Sequence, residues 1–180
     1  MRKARNLAAG IAIVMACACG GALVAQEAGK PVKLSTGKPF GAAQTSSTVA
    51  DPQVDGKVLR VVVAAAEKPW HAGINTFINE KVAAGDRIKA TLWLRASSVE
   101  PGETAMVEAV IRESDPPATA YGKPARLKLT DRFAPYVIEG TATKASPAFK
   151  VTVAMHLGFA RQTVDIAAVQ AVKLPPAPQP

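Results

Sequence analysis

The amino-acid sequence predicts an all-β chain folded as an antiparallel β-sandwich, a jelly roll. Three observations carry this. Residues 149–157 alternate strictly, with Phe149, Val151, Val153, Met155 and Leu157 on one side and Lys150, Thr152, Ala154 and His156 on the other. That is the period of a half-buried strand. Residues 87–97 and 105–113 alternate in the same way, placing Ile88, Ala90, Leu92 and Leu94 together, then Val107, Ala109 and Ile111. Turn chemistry recurs between such runs, at Ala84-Gly85-Asp86, Glu100-Pro101-Gly102 and Asp115-Pro116-Pro117, the spacing of an antiparallel sandwich.

The sequence predicts a leader at its start. Arg2, Lys3 and Arg5 form a basic start, Leu7 to Val24 is apolar and uncharged, and Leu23-Val24-Ala25 before Gln26 fits a cleavage site. Residues 1–25 therefore read as a signal peptide, too short and too rich in Gly and Ala for a membrane span. The expected location is exported, periplasmic or extracellular. Val14-Met15-Ala16-Cys17 is a poorer match to a lipidation box, which leaves a lipoprotein anchored at Cys17 as the rival. Both cysteines, Cys17 and Cys19, lie in the leader, so the mature chain has neither disulfide nor thiol chemistry.

Residues 26–39, rich in Gly, Lys, Ser, Thr and Pro, read as a flexible linker. Residues 175–180, Pro-Pro-Ala-Pro-Gln-Pro, read as a disordered tail. Residues 40–174 between them, about 135 positions, suffice for one domain with its own core. Strands are expected at 57–65, at 73–82 after a Pro-Trp loop, at 87–97, 105–113, 126–129, 136–143 and 149–157, and from Thr163 to Val172. A helix over 104–112 is the competing reading, because Ala, Met and Glu favour helix. The alternation of the flanking runs favours strand.

Charge and motifs narrow the function. The leader holds three of the 22 basic residues and none of the 14 acidic ones, leaving 19 against 14, a net of +5. These charges are scattered, without the basic stripe or motif that nucleic-acid binding wants. No GxSxG elbow, HExxH or phosphate loop is present. A carboxylate pair for glycoside hydrolysis could draw on Glu108, yet no second acid is singled out by spacing. His71 and His156 lack metal-like spacing. The expectation is a non-enzyme without cofactor or metal.

The polar sides of the three alternating strands carry Thr91, Trp93 and Arg95, then Glu108, Val110 and Arg112, then Thr152, Ala154 and His156. If the strands share one sheet, that face presents an indole, guanidinium groups, a carboxylate and an imidazole. A flat aromatic covers the apolar face of a sugar ring, and planar polar groups pair with vicinal hydroxyls. Trp70 and Gln162 would stand at the edges. Ordinary sheet decoration is the competing reading for each of these residues.

The ordered set Lys68-Pro69-Trp70-His71, Ala84-Gly85-Asp86, Leu92-Trp93-Leu94-Arg95-Ala96, His156-Leu157-Gly158-Phe159 and Gln162-Thr163-Val164-Asp165-Ile166 resembles the galactose-binding-like β-sandwich of carbohydrate-binding modules. The group is that around families four, nine and twenty-two, as attached to bacterial xylanases. The resemblance spans residues 40–174. It implies a jelly roll that binds polysaccharide or oligosaccharide without catalysis. Such modules often end in Ile-Asp-Asp-Val, one of whose acids holds calcium; here the segment is Ile166-Ala167-Ala168-Val169, so no calcium is assigned there. Similar proteins place a polar residue, often Gln, near Gly73. These departures keep open a sandwich that has lost sugar binding and meets an envelope protein instead. The expected carbohydrate-binding set is Trp70, Trp93, Arg95, Glu108, Arg112, His156 and Gln162.

Overall fold

The computed structural model describes residues 29–54 and 56–175. The predicted leader and all but Pro175 of the predicted tail lie outside the described residues. Two antiparallel sheets pack face to face. In chain order the strands are β1 (Lys30–Pro31), β2 (Lys38–Phe40), β3 (Gln44–Ala50), β4 (Lys57–Val63), β5 (Gly73–Phe77), β6 (Arg87–Val99), β7 (Met106–Glu113), β8 (Ala125–Lys128), β9 (Ala134–Thr141), β10 (Val151–His156) and β11 (Gln162–Leu174). The first sheet runs β3-β4-β11-β6-β9, with β1 also on β11. The second runs β2-β5-β10-β7-β8. Among the described residues the only helical element is a single 3-10 turn, Pro69–His71.

The core lies between the sheets and is built by the alternation read from the sequence. Ile88, Leu92 and Leu94 of β6 meet Val107 and Ile111 of β7 and Val153 and Met155 of β10, all essentially without solvent contact. Each such side chain contributes about 1.5–3 kcal/mol on burial. The competing helix at 104–112 is ruled out by this pairing, because β7 lies hydrogen-bonded between β10 and β8. Gly85 and Gly102 take positive φ, both 85°, in two of the predicted turns; that region suits a residue without Cβ.

Three expectations need correction. Residues 30–31 and 38–40, within the stretch read as a flexible linker, pair with β11 and β5. Phe149 does not open a core strand. It sits in the left-handed region, φ 63°, with an exposed ring, and β10 begins at Val151. Most consequentially, the three alternating strands do not share a sheet: β7 and β10 are neighbours in the second, while β6 lies in the first between β11 and β9.

Candidate functional site

The outer face of the second sheet brings chemistry together in rows fixed by strand register. One row crosses all five strands as Phe40, Gly73, His156, Glu108 and Arg126. The next holds Lys38, Asn75, Ala154 and Val110. The third holds Phe77, Thr152 and Arg112, which bridges to Ala120. Their strand neighbours Ile74, Val107, Val153 and Met155 point into the core, so period two sends these rows outward.

Local packing positions each group. Phe40 lies over Gly73, where a Cβ would run into its ring and come within 2.6 Å of the Met155 carbonyl oxygen. Glycine at 73 is thus the residue that lets an aromatic ring lie on the sheet. Gln44, from the opposite sheet, donates through Nε2 to the carbonyls of Phe40 at 2.9 Å and Gly73 at 2.8 Å, holding that corner. The His156 ring stands edge-on to Phe40, centroids 6.2 Å apart. Its Nδ1 lies 3.4 Å from Glu108 Oε1, and Glu108 Oε2 accepts from Arg126 Nε at 3.5 Å. Arg126 also lies 5.7 Å from the Phe159 ring centroid, and the Lys38 ammonium 6.0 Å from that of Phe77.

The electrostatics follow from half-burial. Burial is the main cause that holds the His156 imidazole below its ordinary value; Arg112 adds to the effect, and Glu108 opposes it without reversing it. The ring is therefore neutral at neutral pH. Burial also lowers Arg112. Asn75 Oδ1 and Arg112 Nε are buried and have no hydrogen-bond partner among the described residues, as is Gln44 Oε1 at the adjacent corner. Buried polar atoms are normally satisfied; Asn75 Oδ1, an acceptor, and Arg112 Nε, a donor, are exceptions on this sheet face.

Of the residues expected at the site, Glu108, Arg112 and His156 meet on this face. Trp70 is exposed on the 3-10 turn beyond the end of β5, its ring 5.7 Å from the Lys68 ammonium. Trp93 and Arg95 lie on β6, on the outer face of the other sheet. Trp93 is 38% exposed. Arg95 is buried against Asp165 and Asp51, with Phe133 stacked 4.6 Å away. Gln162 is buried and fully engaged: Oε1 accepts from Met106 N at 2.9 Å, and Nε2 donates to the carbonyls of Met106 and Leu157, both at 2.7 Å. It staples the two sheets and has no group left for a ligand. Phe40, Asn75, Lys38, Phe77 and Arg126 belong to the face but were not singled out from the sequence; the Gly73, Asn75, Phe77 alternation was the available signal. Among the described residues no group of three or more His, Cys, Asp or Glu is placed to hold a metal ion.

No protein-family model matches the chain, and no similar protein is found among curated ones. Solved structures do match. A family-four carbohydrate-binding module superposes with a TM-score of 0.59 at 15% identity, over 76% of this chain and 94% of that one. The second N-terminal cellulose-binding domain of β-1,4-glucanase C from Cellulomonas fimi superposes with a TM-score of 0.56 at 18% identity, over 84% and 98%. The CBM22-1 and GH10 modules of xylanase 10B from Clostridium thermocellum, complexed with xylohexaose, match with a TM-score of 0.60 at 10% identity, over 85% of this chain and 30% of that one. The fold is that of a carbohydrate-binding module. The chain spans nearly the whole of the two isolated modules and under a third of the xylanase chain. At these identities the likeness concerns the fold.

Proposed function

We propose that this chain is an exported, non-catalytic carbohydrate-binding module, and that polysaccharide lies on the outer face of the β2-β5-β10-β7-β8 sheet. The observation that carries the reading is the pair of unpartnered buried atoms, Asn75 Oδ1 and Arg112 Nε, on a face that also offers the Phe40 ring, a carboxylate and an imidazole. An amide oxygen accepts from a sugar hydroxyl, a guanidinium donates to ring or hydroxyl oxygens, and an aromatic covers the ring's apolar side. The matched modules support this by their fold. Trp70, at the end of the sheet, is proposed as an edge contact.

Isothermal calorimetry of the mature domain against xylan, glucan and cell-wall oligosaccharides tests the proposal. Saturable heat is expected for at least one polymer, with binding weakened by Asn75→Ala. No heat at millimolar sugar across the panel overturns it.

A further inference from the structure

We propose that the outer face of the second sheet is selective for acidic polysaccharide, in which sugar carboxylates meet Arg112 and its basic neighbours; this rests on the sugar-binding reading above. Lys38, Arg112, Arg126 and Lys128 project from this face by the register of β2, β7 and β8. Glu108 is the one carboxylate in the same rows, and it is engaged by Arg126 and His156. The face is thus basic with its single acid occupied, a complement to a polyanion rather than to a neutral glycan.

Arg112 sharpens the choice. The buried guanidinium on the opposite sheet, Arg95, is paired with two carboxylates, Asp51 and Asp165. Arg112 is half-buried with no ion pair among the described residues, and its Nε has no acceptor. A partly desolvated guanidinium without a counter-charge is costly. A carboxylate satisfies it in the planar, two-bond geometry that this group favours. Asn75 Oδ1 asks for the opposite, a donor, which a sugar hydroxyl supplies. The two groups stand on strands separated by β10, roughly 10 Å apart across the sheet. They therefore address neighbouring residues of one chain: a carboxylate at Arg112 and a hydroxyl at Asn75. A uronic-acid polymer carries both.

The test is calorimetry with a galacturonate oligomer and its carboxyl-reduced, neutral counterpart, at low and high salt. The expected result is at least about tenfold tighter binding of the acidic oligomer, weakened at high salt. Arg112→Gln is expected to remove that preference and Arg112→Lys to restore part of it, the melting temperature confirming that both variants fold. Should Arg112→Gln unfold the domain, the exposed pair Lys38→Gln with Lys128→Gln is expected to reduce the preference severalfold. Equal binding of the neutral oligomer, or a preference untouched by these substitutions, overturns acidic selectivity and leaves sugar binding standing. Binding of neither oligomer nor of any neutral polymer overturns both. Equal affinity for dextran sulfate, or binding to phosphatidylglycerol vesicles without binding to the oligomer, also overturns it, in favour of charge alone or a membrane surface.

Discussion

Arg95 and Asp165 face each other across β6 and β11, and the guanidinium closes on one carboxylate oxygen through Nε at 2.9 Å and Nη2 at 2.7 Å. Arg60, on the other neighbour of β11, reaches the same carboxylate through Nε at 2.7 Å and Nη2 at 2.9 Å. Asp51, from the turn after β3, completes the group at Arg95 and accepts Gln53 N at 2.9 Å. A row of charges thus ties β3, β4, β11 and β6 together on the outer face of the first sheet, away from the candidate sugar face.

Arg95→Ala is therefore expected to act on stability. It leaves Asp51 and part of Asp165 buried without their counter-charge and removes the stack on Phe133. A loss of about 2–4 kcal/mol in urea unfolding is expected, with polysaccharide affinity unchanged. A variant that unfolds like the parent and binds less tightly would return Arg95 to the site.

The same carboxylate gives the domain an acid limit. Burial alone would push the Asp165 carboxyl up, but the hydrogen bonds and charges of Arg60 and Arg95 together outweigh it and hold it below its ordinary value. The unfolded chain titrates an aspartate near about 3.9, so it binds the proton first as pH falls. The stabilisation is complete above that value and is lost as pH drops through the lower folded value. Glu113, lowered chiefly by the Lys144 hydrogen bond, works in the same direction. Unfolding free energy is expected to fall steeply below about pH 4. Asp165→Asn is expected to be less stable at neutral pH and to show a flatter acid limb, the remainder coming from Glu113 and from Asp115, which the Lys150 hydrogen bond also lowers.

Gln162→Ala tests the staple between the sheets. The substitution removes three short hydrogen bonds and takes this partner from the Met106 amide and carbonyl in a buried place, while the Leu157 carbonyl keeps the Phe159 amide at 2.9 Å. About 2–4 kcal/mol of stability is expected to go, seen as a lower urea midpoint. Affinity for sugar is expected to hold, because no Gln162 atom reaches the outer face.

These contrasts show what alternation can and cannot reveal. Val151, Val153 and Met155 lie in the core as alternation says, but Thr152 and Ala154 on the opposite side are also without solvent contact, and only His156 keeps some exposure. Alternation located the strands at 87–97 and 105–113 in the same way, and turn chemistry and Val content marked the others from β4 onward. Alternation names a face but not a sheet. Trp93 and His156 have equivalent patterns, yet β6 crosses to the first sheet to pair with β11 along its length. Strands β1 and β2 were hidden by their prolines, which cannot donate to a ladder. Strand β3, Gln-Thr-Ser-Ser-Thr-Val-Ala, is an edge strand exposed along most of its length, so no apolar period marks it. Phe40 was missed with them, since its role depends on a close approach to Gly73 that only the folded register creates. The glycine that looked like a lost sugar contact is the floor beneath an aromatic ring.

Trp93 supplies the sharpest test of which face binds. The sequence alone makes it the stacking residue, on one face with Arg95 and His156 if their strands share a sheet. In the folded chain its neighbours are Pro135 of β9 and Ala168 of β11, with the whole core between it and His156. Trp93→Ala is expected to leave polysaccharide affinity within about twofold of the parent, since it touches no group of the proposed binding face. Phe40→Ala, which strips the ring from that face, is expected to weaken binding about tenfold, as loss of one stacked aromatic does. Calorimetry on the two variants with one polymer separates the faces. The reverse order, loss at Trp93 and none at Phe40, would move the site to the first sheet.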